Sequence, residues 1–246
     1  MRKEKVMKRQ VLAGLATGIA ILGIVWSANA MSFTDDFSDG TMDGWTQKIG
    51  SWSVTDGNLS NSGSVYGVVW KDDSFGVYQK IQVDAYFDFS TSTKDDEIGH
   101  LRLRTNNHTG ATQPFWDTGY LADFQKDKIR IYNTYMASNP QIASFVFSDT
   151  PFTYNGWYEL AFSVDGTGSD THFNTWVNGI TYIDQTYNNT IADIDNGYVG
   201  LGRKIRYDNV QGYSSSTPVP EPSTMLLLAT GIFGLVGTRS RRKKKQ

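Results

Sequence analysis

The run Val77-Tyr78-Gln79-Lys80-Ile81-Gln82-Val83-Asp84-Ala85-Tyr86-Phe87-Asp88-Phe89 decides the fold. Val77, Ile81, Val83, Ala85, Phe87 and Phe89 share one face, and Tyr78, Lys80, Gln82, Asp84, Tyr86 and Asp88 share the other. Side chains alternate across a strand, so one face is dry and the other wet, as in an antiparallel sheet covered on one side. The same alternation recurs in Gly99–Thr105, Lys128–Tyr135, Trp157–Val164 and Phe173–Asn178. Asn178-Gly179 has the chemistry of a two-residue hairpin turn, and Asp56-Gly57 of a second. No helix-period stretch interrupts residues 31–213. About a dozen short strands with frequent turns predict an all-β, antiparallel two-sheet jelly-roll β-sandwich, formed as one domain by residues 31–213.

The ends have a different character. The chain has 246 residues, no cysteine, 39% hydrophobic and 20% charged residues, and a formal net charge of −2. Without cysteine there is no disulfide scaffold, thiolate zinc site or cysteine nucleophile. The charges are segregated: residues 31–219 carry 12 basic and 23 acidic residues, a net of −11, while both ends are basic. Such a body repels a phosphate backbone, so nucleic acid is not an expected partner. The N-terminus reads MRKEKVMKRQ, then VLAGLATGIAILGIVW, then SANA. Basic segment, apolar run and small residues at Ala28 and Ala30 predict a signal helix over residues 1–30, removed by signal peptidase. An uncleaved anchor is the alternative, for which Val11–Trp26 is short.

After a linker at 214–219, residues 220–246 bring Pro220-Glu221-Pro222, an apolar run Met225–Gly237 and a basic tail Arg239–Lys245. The prolines stiffen an extended segment, the apolar run forms a short transmembrane helix, and the basic end stays cytoplasmic. This arrangement closely resembles the PEP-CTERM sorting signal of Gram-negative bacteria that make exopolysaccharide. The resemblance implies an exported protein, membrane-anchored until an exosortase cuts near Pro220–Pro222, and destined for the cell envelope, outer surface or extracellular matrix. An ordinary C-terminal anchor is the alternative.

Motifs in the body carry a second resemblance. Asp35-Asp36-Phe37-Ser38-Asp39-Gly40 leads to Trp45, Gly50, Trp52, Val54, Asp56-Gly57 and Leu59. Gly156-Trp157-Tyr158-Glu159-Leu160, Thr175-Trp176-Val177-Asn178-Gly179, Gly200-Leu201-Gly202 and Tyr207-Asp208-Asn209-Val210 follow. Together they resemble the concanavalin A-like lectin/glucanase jelly roll, including its laminin-G-like relatives. That resemblance implies a carbohydrate-binding or carbohydrate-cleaving fold. It also implies one structural calcium ion where first and last strands meet, with Asp208 as the closing-strand ligand, Gly57 at the early turn and Asp36 in the opening strand; oxygen donors of this kind suit calcium. A turn or ion-pair role for Asp208, with Arg203 or Arg206, is the alternative.

Glycosidases of either outcome use two carboxyl groups at the scissile bond. The glucanase branch places them on one strand as Glu-x-Asp-x-(x)-Glu, whereas Glu97 and Glu159 are the only glutamates of residues 31–219. Nucleophile and phosphate-loop motifs are missing, and His100, His108 and His172 lack metal-ligand spacing. Trp45, Trp52, Trp70 and Trp157 read as core or turn-anchoring residues, and Gly57, Gly166 and Gly179 as turn glycines.

A glycan site is expected on the wet face of the central strands. Parity places His100, Arg102 and Arg104 together, and Arg130 with Tyr132. Arg102 and Arg104 offer charge-assisted bonds, Tyr132 and Trp176 offer stacking rings, and Trp116 in the Asn106–Thr118 loop closes over the ligand. The acidic body favours a neutral or weakly acidic sugar. The reading is a surface or matrix protein that binds a cell-surface or biofilm polysaccharide without cleaving it. A polysaccharide hydrolase or lyase, and an envelope protein without ligand, are the alternatives.

Overall fold

The computed structural model describes residues 31–63, 67–90, 98–106, 118–134, 141–187 and 197–215. The expected signal helix, sorting helix and Trp116 lie outside the described residues. In chain order the strands are β1 Met31–Asp35, β2 Trp45–Ile49, β3 Trp52–Thr55, β4 Asn58–Asn61, β5 Val68–Phe75, β6 Tyr78–Phe87, β7 Ile98–Asn106 and β8 Thr118–Gln125. They continue with β9 Lys128–Asn133, β10 Gln141–Val146, β11 Gly156–Asp165, β12 Thr171–Val177, β13 Ile180–Tyr187, β14 Gly197–Gly202 and β15 Arg206–Ser215.

These strands form two antiparallel sheets. One has eight strands in the order β13-β12-β11-β6-β15-β4-β3, with β1 also on β15. The other has seven, in the order β10-β9-β8-β7-β14-β5-β2. The expected two-sheet all-β sandwich is the fold found.

Along β6 burial alternates residue by residue, as the opening run predicts. Its apolar face meets Leu101, Leu103, Ala122, Ile129, Ile131, Val199 and Leu201 of the seven-stranded sheet in one core. Tyr120 stands edge-on to Phe173 across the two sheets, with ring centres 4.8 Å apart. Burying each such large apolar side chain stabilises the fold by roughly 1.5–3 kcal/mol.

One polar residue shares the dry face of β6. Gln79 is fully buried, donates to the carbonyls of Phe75, Gly76 and Gly197, and accepts from the Arg104 backbone N–H at 2.8 Å. Its amide satisfies backbone groups where both sheets end, which makes the burial affordable. Tyr207 provides a second polar tie. Its hydroxyl donates to the Gly202 carbonyl at 2.5 Å and accepts from the His100 N–H at 3.1 Å, joining β15 to the opposite sheet.

Both predicted turns form with the left-handed backbone that a two-residue hairpin requires: φ is 52° and 72° at Asp56 and Gly57, and 50° and 75° at Asn178 and Gly179. The linker begins later than the sequence suggests. Ser214 and Ser215 belong to β15, are buried, and the Ser214 hydroxyl accepts from the Gly76 N–H at 2.6 Å.

Candidate functional site

Strand register determines which polar residues can meet. On the outer face of the seven-stranded sheet, one row runs Trp70, Gly200, Arg102, Leu121, Tyr132. The adjacent row runs Gly202, His100, Asp123, Arg130. Arg102 and Tyr132 therefore share a face and a row, as their expected roles require. The wet face is not found, however. Trp70, His100, Arg102, Leu121 and Asp123 are all at most 2% exposed, so Arg102 is an interior residue.

The second row is a compact charge network. Asp123 accepts from Arg130 Nη2 at 2.5 Å and from Gln125 Nε2 at 2.9 Å. Arg203 Nε donates to His100 Nε2 at 3.0 Å. That nitrogen is thus an acceptor and the imidazole is neutral. Burial, then the charges of Arg203, Arg102 and Arg130, holds His100 well below the usual histidine range. The 3.7 Å approach of His100 to Asp123 is accordingly not an ion pair. Burial pushes the Asp123 carboxyl up, against the pull of Arg130 and Arg203. Arg130 also lies 5.3 Å from the Tyr132 ring centre. Among the described residues, three guanidinium groups, one carboxylate and one neutral imidazole come together here.

Arg104 does not join them, contrary to parity. The β7–β8 register shifts between Leu103 and Asn106, and Arg104 has φ of 53°. This bulge turns the side chain between the sheets, where Arg104 Nη2 donates to the carbonyls of Val77 and Gly166, the latter at 2.8 Å. A Cβ on Gly197 would lie 2.5 Å from the Arg104 carbonyl carbon, so the neighbouring strand must be glycine there. Arg104 pins two connections together and is structural.

Trp176 lies on the opposite side of the molecule. It pairs with Ala161 and Thr181 on the outer face of the eight-stranded sheet, with Lys80 Nζ 5.0 Å from its ring centre. The described residues expected to form one glycan site therefore divide among two outer faces and the interior. Trp45, Trp52 and Trp70 are buried as expected, but Trp157 is 44% exposed and is not a core residue. Sequence reasoning missed Asp123 and the orientation of Arg203. A charged residue within the apolar run Tyr120-Leu121-Ala122-Asp123-Phe124 was a usable signal for the first.

At the other end of β15, Asp208 stands opposite Asp84 on β6. Its carboxylate accepts from the Asn209 N–H at 2.7 Å, and Asn209 Nδ2 donates to Asp84 at 2.8 Å. Burial raises the Asp208 carboxyl, and the like charges of Asp84, Asp36 and Asp35 raise it further. Neither alternative arginine partner serves it: Arg203 is on His100, and the Arg206 guanidinium is 3.9 Å from the Tyr86 ring centre. Asp36 accepts from the Ser38 N–H at 3.1 Å. A cleft of about 550 Å³ beside β1 and β15 is lined by Asp35, Asp36, Asp39, Asp43, Lys71 and Asn209, but not by Asp208 or Gly57. Among the described residues, no three His, Cys, Asp or Glu side chains converge on one metal position.

This architecture is a two-sheet jelly roll. It is similar to a Bacillus subtilis protein of unknown function with a galectin-like fold: 13% identity, TM-score 0.54, covering 74% of this chain and 95% of that one. Lectin I-B4 from Griffonia simplicifolia, in its metal-free form, is 14% identical with TM-score 0.53, covering 76% and 100%. The carbohydrate recognition domain of Emp47p is 10% identical with TM-score 0.51, covering 76% and 95%. At these identities the likeness is one of fold. No curated protein matches the chain. The C-terminus is more particular: residues 218–243 match the PEP-CTERM protein-sorting motif. The chain thus joins a jelly-roll body to a PEP-CTERM sorting motif, which indicates an exported protein, membrane-anchored and then processed, and implies an exosortase as the processing enzyme.

Proposed function

We propose that this is a surface or matrix protein of a Gram-negative envelope whose jelly roll binds polysaccharide without cleaving it. The ligand is a neutral or weakly acidic glycan at the outer face of the seven-stranded sheet. The carrying observation is the partly exposed pair of Arg130 and Tyr132 on that face, the guanidinium 5.3 Å from the ring centre. An oxyanion or hydroxyl at Arg130 and Tyr132 gains charge-assisted bonds and a stacking ring. The non-catalytic reading is supported by His100, whose Nε2 is occupied by Arg203 in the interior, and by Asp123, which Arg130 and Gln125 hold. Neither is placed to move a substrate proton.

The test is affinity electrophoresis of the full chain in mild detergent, through gels containing alginate, xanthan or dextran. Retardation should weaken at least about tenfold in Tyr132→Ala and Arg130→Gln, with no new reducing ends or unsaturated uronate formed. Unchanged retardation in both variants rejects the site, and product formation rejects the non-catalytic reading.

We further propose one structural calcium ion between the closing and opening strands, with Asp208, Asp36 and the Gly57 turn as its donors. Its support is the crowding of Asp208 by Asp84, Asp36 and Asp35, a repulsion that a hard cation would offset.

A further inference from the structure

We propose that the outer face of the eight-stranded sheet carries a second glycan-binding surface, centred on Trp157 and suited to a neutral polysaccharide chain. It does not depend on the basic cluster of the other sheet. Trp157 lies within the sheet on β11, yet 44% of its surface is exposed. Directly opposite on β6 stands Tyr86, edge-on at 5.4 Å and 70°. Opposite Tyr86 on β15 stands Arg206, its guanidinium 3.9 Å from the Tyr86 ring centre and 5.7 Å from that of Trp157. The indole is held by two neighbours before any ligand arrives, so stacking a sugar ring on it costs little further side-chain entropy.

The next row, about 7 Å along the strands, supplies hydroxyl acceptors. It runs Glu159, Asp84, Asp208 across β11, β6 and β15. Glu159 Oε2 is oriented by Gln82 Nε2 at 2.9 Å, and Asp84 by Asn209 Nδ2 at 2.8 Å. Carboxylates fixed by amides beside an aromatic plate suit the alternating apolar faces and hydroxyl rims of pyranose rings. Three carboxylates in that row repel a polyanion, which selects a neutral chain.

The experiment is affinity electrophoresis of the full chain in mild detergent, through gels containing dextran, galactomannan or mixed-linkage β-glucan, with alginate for comparison. The wild type should be retarded in at least one neutral gel. Trp157→Ala should lose at least tenfold in apparent affinity, Trp157→Tyr should keep most of it, and Val146→Ser, an exposed change on the seven-stranded sheet, should behave as wild type. Thermal midpoints of the variants establish that they are folded, and Glu159→Gln provides a second, milder probe expected to weaken retention severalfold. The proposal fails if no neutral gel retards the protein, if Trp157→Ala and Glu159→Gln bind as wild type, or if Val146→Ser abolishes the same retention. It fails equally if Trp157→Ala instead dissolves a dimer in gel filtration.

Discussion

His100 shows how one residue can be legible in position and opaque in role. Its strand and parity follow from the sequence, but its protonation depends on burial and then on Arg203, which reaches it from 103 residues away. The neutral ring has a consequence for stability. Because its folded pKa is depressed, the unfolded chain binds more protons below about pH 6.5. Stability is full above that pH and is lost as pH falls, by at most about 1.4 kcal/mol per pH unit for one proton. Asp123 acts in the opposite sense, since its raised folded pKa lets acid stabilise the native state just above the ordinary carboxylate range. Urea midpoints of the full chain should therefore fall between about pH 7.5 and 5.5. His100→Gln, which keeps an acceptor for Arg203, should flatten that fall; an unchanged slope would place the titration elsewhere.

At the scale of elements, period and turn chemistry were readable and local irregularity was not. The Val77–Phe89 alternation is reproduced along β6, and Asn178-Gly179 and Asp56-Gly57 close the hairpins that their residue types predict. Arg104 was misassigned because a bulge advances the side-chain alternation by one residue, and nothing in Leu103-Arg104-Thr105 announces it. A second bulge, between Asp208 and Gln211, lets Asn209 adopt φ of 49° beside the acidic row. The proposed calcium donors are drawn from elements at opposite ends of the chain, Asp36 after β1 and Asp208 on β15. With a hundredfold excess of calcium over its dissociation constant, the gain is about 2.7 kcal/mol. The thermal midpoint of the full chain should rise with calcium and fall with chelator, and Asp208→Ala should abolish the difference. A midpoint indifferent to calcium in the wild type removes the ion.

For the whole molecule, alternation marked most of the inward-facing apolar residues but not which sheet each strand joins. Arg102 and Trp176 have similar outward parity, yet they lie on opposite faces, because β7 and β12 belong to different sheets. Long-range pairing decides that, and no local pattern encodes it. The sorting signal was legible throughout, since its parts are contiguous: prolines, an apolar run and a basic end within 27 residues. Mass spectrometry of the mature protein, from a host carrying an exosortase, should find no peptide from Met225 onward; a retained C-terminus would contradict processing there. The sorting segment continues the chain from β15, which is hydrogen-bonded to β6 along one edge and to β1 and β4 along the other. Traction along the axis of β15 loads its ladders to β6, β1 and β4 together, in shear. Enzymatic release of the tail, rather than mechanical extraction, is the low-resistance way to free the folded body.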